Sequence, residues 1–149
     1  MRVADADVAA LRAALSGDSD TFDQVAGMSS LENGGQLGIL MATAFVAAAR
    51  NRFPRQWSVP DLIRFVGQVR THHQGEYADI NASAAEQMLL AALTNQPEPM
   101  YGEFDQIAMG YAQAAILAEL VGDLDGQQLD ALLDEARVQA NLWLAERPL

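Results

Sequence analysis

Cysteine and lysine are both absent from this 149-residue chain, and each absence removes chemistry. Without cysteine there is no disulfide, no thiolate metal site and no sulfur nucleophile. Without lysine there is no Schiff-base amine and no P-loop ammonium; all nine basic residues are arginine. Long apolar runs are missing as well. Nowhere do about 20 apolar residues follow one another, the length a helix needs to cross a bilayer, and no basic n-region followed by an apolar segment opens the sequence. The expectation is a cytoplasmic protein with no membrane contact. Strand signals are lacking too, since no segment alternates with period two or is dominated by β-branched residues. Alanine-richness with arginine in place of lysine fits a GC-rich bacterial coding sequence.

What is present is a large apolar fraction and an uneven charge. Half the residues are hydrophobic, and a chain of this length can bury on the order of 70% of its unfolded surface in one core. A single domain over 1–149 is expected. The net charge of −11 is concentrated: residues 1–35 carry −4, residues 71–149 carry −11, and residues 50–70 carry +4 from Arg50, Arg52, Arg55, Arg64 and Arg70 against Asp61. The chain is an acidic protein with one basic block.

Leu37 to Ala49 contains no charge, and Thr43 is its only polar side chain. A helix that is apolar all round has no face for water and must lie inside other helices or a membrane. At about 1.5 Å per residue it spans only about 20 Å, so the protein interior is the better reading. This third helix, 35–51, is expected to be central. A short helix over 5–15 precedes it, with Val8, Leu11 and Leu15 on one face and Gly17 as its stop. A second is expected over about 18–27, followed by a turn at Asn33-Gly34.

Ser58-Val-Pro-Asp61 has the form of a capping box. It opens a helix to about His72 with Val59, Leu62, Ile63, Val66 and Val69 as its apolar stripe. Ser83-Ala-Ala-Glu86 is a second such box, opening a helix whose stripe is Ala85, Met88, Leu89, Ala92 and Leu93. Residues 102–121 are apolar over most of the circumference and form the second candidate for a buried helix. From the Asp125 cap to about Glu146 the pattern is one-sided, with Leu129, Leu132, Leu133, Ala136, Ala140, Trp143 and Leu144 inward. The fold read from these segments is all-α, a single-domain bundle of about seven helices with two largely buried central helices, 35–51 and 102–121.

The leading candidate site is the basic block with its aromatic residues: Arg50, Arg52, Phe53, Arg55, Trp57, Arg64 and Arg70. Arginines interleaved with aromatics bind phosphate, nucleic acid or acidic protein surfaces. The net charge of −11 repels a polyanion beyond one local patch, so nucleic acid is not the expected partner. The competing structural readings are that Arg50 and Arg52 stabilise the negative end of their own helix, or that the block pairs with acidic helices of the same chain or of a second copy.

A second cluster is His72 and His73 followed by Glu76 and Asp79. Imidazoles and carboxylates so close can hold a divalent metal or share a proton. Adjacent helical residues point about 100° apart, however, so both histidines cannot reach one ion while the helix stays intact. The simpler reading puts His73 on the apolar stripe and His72 in solvent near the negative helix end.

Other patterns fail on spacing. Asn33-Gly-Gly-Gln-Leu-Gly38 lacks the strand of a dinucleotide fingerprint. Asp123-Leu-Asp125-Gly126 starts like a calcium loop, but its glycine comes too early and its twelfth position is Asp134. Phe22-Asp-Gln-Val-Ala26 recurs as Phe104-Asp-Gln-Ile-Ala108 without a fixed period, which does not establish a repeat.

No convergent catalytic set emerges and no cofactor is implied. The function expected is a non-enzymatic interaction or regulatory module, homo-oligomeric or bound to an acidic protein surface through the arginine block. A small enzyme or metal-binding protein with a site at His72, His73, Glu76 and Asp79 is the alternative.

Overall fold

The computed structural model of the protein describes residues 2–17, 20–21, 36–53, 56–72, 82–94 and 106–146, with the backbone alone for 106–111. Among these residues there are six α-helices packed together and no strand: α1 (Asp5–Leu15), α2 (Gln36–Arg52), α3 (Val59–His72), α4 (Ala82–Thr94), α5 (Gln106–Leu120) and α6 (Gly126–Glu146). The all-α expectation is met. The helix expected over 18–27 lies outside the described residues except for Asp20 and Thr21, which are helical. The recurring Phe-Asp-Gln segments fall outside them as well, apart from the backbone of 106–108. No described helix is long and apolar enough to cross a membrane.

The uncharged stretch forms the middle of α2, which packs against α1, α4, α5 and α6 and most extensively against α6. Leu40, Met41, Ala44, Phe45, Ala48 and Ala49 are buried, and no α2 residue before Arg50 is exposed. That is the cover an all-apolar helix demands. Burying one Leu or Met side chain contributes about 1.5–3 kcal/mol, so this helix supplies a large share of the core. The polar exception, Thr43, directs its hydroxyl at three carbonyl oxygens. Those of Ile39 and Leu40 belong to its own helix, and the nearest, Ala136 O at 2.9 Å, belongs to α6. In α5, Ala112, Ala114, Ala115, Ile116, Leu117 and Leu120 are buried against α2, α3 and α4.

Helix starts follow side-chain chemistry. At α6 the box is reciprocal: Asp125 Oδ1 accepts the Gln128 N–H at 2.7 Å, and Gln128 Oε1 accepts the Asp125 N–H at 3.0 Å, which satisfies two donors that a helix start leaves unpaired. At α3 the Ser58 N–H donates to Asp61 Oδ2 at 2.9 Å. The α4 expectation needs correction. The helix starts at Ala82, so Ser83 lies inside its first turn, where its Oγ accepts from Gln87 Nε2 at 3.2 Å. At the end of α1, Gly17 adopts φ +104°, the left-handed conformation that glycine enters without steric cost.

The α3 stripe also differs from the one read in sequence. Leu62, Phe65, Val66 and Val69 are buried, whereas Val59 and Ile63 are 53% and 51% exposed. The row i, i+3, i+4, i+7 that begins at Leu62 competes with the row that begins at Val59. Phe65 decides the rotation of the helix because it carries more apolar area than either aliphatic residue.

The N-terminal segment is clamped to the last helix. Buried Val3 donates its N–H to Asn141 Oδ1 at 2.8 Å and accepts from Arg137 Nη2 at 3.0 Å, while Arg137 Nη1 pairs with Asp5 at 2.7 Å. Two turns later Arg12 pairs with Asp130. Thus α1 and α6 lie against each other and α2, while α3 packs on α4 and α5 and makes no substantial contact with α6.

Candidate functional site

Where α2 ends and α3 begins, eight side chains enclose an open cleft of about 420 Å³: Arg52, Phe53, Gln56, Trp57, Asp61, Arg64, Phe65 and Gln68. Its construction is periodic. Asp61, Arg64, Phe65 and Gln68 are i, i+3, i+4 and i+7 on α3, so one side of that helix forms one wall. Arg52, the last residue of α2, supplies the opposite wall.

The floor is aromatic. Phe53 and Phe65 meet edge to face, with centroids 5.4 Å apart and planes at 90°. Such a pairing directs a positive ring edge at a negative face and contributes about 0.5–1.5 kcal/mol beyond area burial. The Arg52 guanidinium lies 5.4 Å from the Phe53 centroid and 5.7 Å from that of Phe65. Both rings therefore hold one cation, within the roughly 6 Å range of a cation–π contact. Trp57 is half-buried against the core and leaves part of its indole on the cleft.

The second guanidinium is tethered by a carboxylate. Arg64 Nη2 donates to Asp61 Oδ1 at 2.6 Å, and Asp61 Oδ2 takes the Ser58 N–H. These contacts hold the Asp61 carboxyl below the usual aspartate range. Hydrogen bonding from the Ser58 backbone is the largest cause, followed by the Ser58 side chain, with the Arg64 charge contributing and partial desolvation opposing. Asp61 thus serves twice, starting α3 and pairing with Arg64.

The basic block divides on folding. Arg52, Trp57 and Arg64 share the cleft. Arg50 does not line it: its Nε donates to Ala92 O at 3.3 Å, a carbonyl in the last turn of α4 that has no partner within its own helix. That contact is structural and reaches a neighbouring helix end. Arg70 is exposed on α3 outside the cleft, and Arg55 lies outside the described residues. Phe65, Gln56, Gln68 and Asp61 were not part of the site expected from sequence. The spacing 61, 64, 65, 68 marks a helix face, but it acquires meaning only once the end of α2 is known to lie beside it.

No family model, curated protein or solved structure matches this chain.

Of the histidine cluster only His72 is among the described residues. His72 is exposed, and its Nδ1 lies 2.6 Å from Glu119 Oε1, joining the end of α3 to α5. His73, Glu76 and Asp79 lie outside the described residues, and among the described residues no group of three or more metal-ligating side chains comes together. Glu119 was not anticipated as the partner of His72, since 47 positions separate them and neither periodicity nor spacing links them.

Proposed function

We propose that the protein is a single-domain cytoplasmic interaction module that binds an acidic segment of a protein partner in the cleft between the end of α2 and α3. The observation that carries this reading is the arrangement of two guanidiniums, Arg52 and Arg64, around a floor of Phe53, Phe65 and Trp57. Guanidinium binds carboxylate through paired, charge-assisted hydrogen bonds. Aromatic side chains and arginine are also the residues that most often dominate protein–protein contacts. A nucleic acid fits poorly, because a chain of net charge −11 repels an extended polyanion outside the cleft. A second copy of this chain is itself an acidic protein and belongs to the class of partner proposed.

The test is fluorescence anisotropy with a labelled synthetic amphipathic peptide of glutamate and leucine. The expected result is binding that weakens about tenfold in the Arg52→Gln/Arg64→Gln variant and is unchanged in Arg70→Gln, which loses charge outside the cleft. Equal losses in both variants, or no binding by the parent protein, would refute the reading.

A further inference from the structure

We infer that the cleft receives the outer face of α6 from a second copy of the chain, so that the protein associates head to tail. This rests on the reading of the cleft as a site for acidic protein segments and names its occupant. The outer face of α6 is unusual. At about 100° per residue, Ala131, Val138, Leu142 and Ala145 fall within an arc of about 60° directly opposite the buried row of Leu129, Leu132, Leu133, Ala136 and Ala140. Val138 and Leu142 are 56% and 53% exposed. A helix covered on one side only has no reason in its own fold to carry a second apolar ridge. Asp134 and Glu135 flank this ridge, one on each side, and both are exposed with no ion-pair partner among the described residues.

The two surfaces are complementary. The ridge presents apolar side chains between Asp134 and Glu135, and the cleft presents an aromatic floor between Arg52 and the paired Arg64 and Asp61, which leaves one positive charge in excess. Laying one into the other follows the helix-in-groove mode of recognition, with Val138 and Leu142 as anchors at i and i+4. One chain cannot make this contact with itself, because α3 and α6 have no substantial contact and pack on different neighbours. The contact therefore joins copies. It uses a different patch on each partner, which closes into a ring or continues as a filament. The net charge does not forbid it at physiological salt. Repulsion between whole molecules is screened over a Debye length of about 8 Å, while charges in direct contact are screened much less.

The experiment is sedimentation velocity of the untagged full chain at about 0.15 M salt. Two variants are compared: Val138→Asp/Leu142→Asp, which blocks the ridge, and Arg52→Glu/Arg64→Glu, which blocks the cleft. The parent is expected to form oligomers larger than dimers as its concentration rises. Each variant alone is expected to be monomeric, and an equimolar mixture should give a 1:1 dimer and nothing larger, because one intact ridge meets one intact cleft. Dimers of the cleft variant alone would show a symmetric α6 contact, and dimers of the ridge variant alone a symmetric cleft contact. Either overturns the inference. A parent that stays monomeric yet binds the acidic peptide overturns it while leaving the proposed function standing. Circular dichroism and the unfolding midpoint establish that each variant folds. If one does not, Val138→Gln/Leu142→Gln and Arg52→Gln/Arg64→Gln replace the pair and are expected to raise the dissociation constant at least tenfold.

Discussion

The hydroxyl of Thr43 lies 2.9 Å from the carbonyl oxygen of Ala136, which ties the middle of α2 to the middle of α6. Ala136 is fully buried, so the two backbones approach closely where Thr43 bridges them. Replacing Thr43 by valine keeps the shape and removes the bond. Ala136 O lies inside α6, where it also has its helical partner, so no acceptor is orphaned and the loss should be the net worth of one hydrogen bond. Urea unfolding is expected to show Thr43→Val less stable by about 0.5–1.5 kcal/mol. A drop well above that range would mean that the bridge also sets the helix spacing.

Leu40 and Met41 sit side by side in α2 with no exposure at all. Cutting either back to alanine leaves a cavity that surrounding helices fill only in part. Each substitution is expected to lower stability by about 2–5 kcal/mol, read from denaturant midpoints at unchanged slope. The same change at Val59 or Ile63, which the sequence places on an apolar stripe but which stand half in water, should stay within about 1 kcal/mol.

The reciprocal box at the start of α6 predicts a specific loss. Asp125→Ala removes the acceptor for the Gln128 N–H and leaves the Gln128 side chain to hold its half alone. Thermal unfolding is expected to report a destabilisation of about 0.5–2 kcal/mol, with Asp125→Asn recovering most of it.

Asp61 links stability to acid and binding to charge. Its carboxyl is held below its usual range in the folded protein, so the folded state prefers the ionised form. The stabilisation it brings is complete above the unfolded aspartate value and is lost as pH falls through the lower folded value. Unfolding free energy measured between pH 5 and 2 should therefore fall less steeply in Asp61→Asn than in the parent. The same variant leaves Arg64 without its carboxylate partner. It should bind the acidic peptide more tightly than the parent, and weaker binding would show that Asp61 positions Arg64 for the ligand.

How far the fold could be read in advance depends on whether a pattern was local. Segment 36–52 was recognisable because thirteen uncharged residues admit one environment, and α6 because its cap and one-sided periodicity agree. The rotation of α3 was not, since rows starting at Val59 and at Leu62 both satisfy helical spacing, and the row that wins is the one whose larger Phe65 is buried against Phe53. The site was half legible for the same reason. Charge concentration marked Arg52, Trp57 and Arg64, but it marked Arg50 and Arg70 equally. Which arginine serves a helix end and which a cleft is a tertiary fact, written in Ala92 and in the two phenylalanine rings.

The clasp of Val3 by Asn141 and Arg137 also bears on how the chain is made. The largely apolar helix α2 leaves the ribosome before α3, α4 and α5, and its largest cover, α6, is translated after all of them. Until then neither α1 nor α2 has its final neighbour, and an apolar surface stands open to other nascent chains. Closure of the α1–α2 surface waits for α6, and a translation arrest before residue 126 leaves that surface open to a chaperone or a protease.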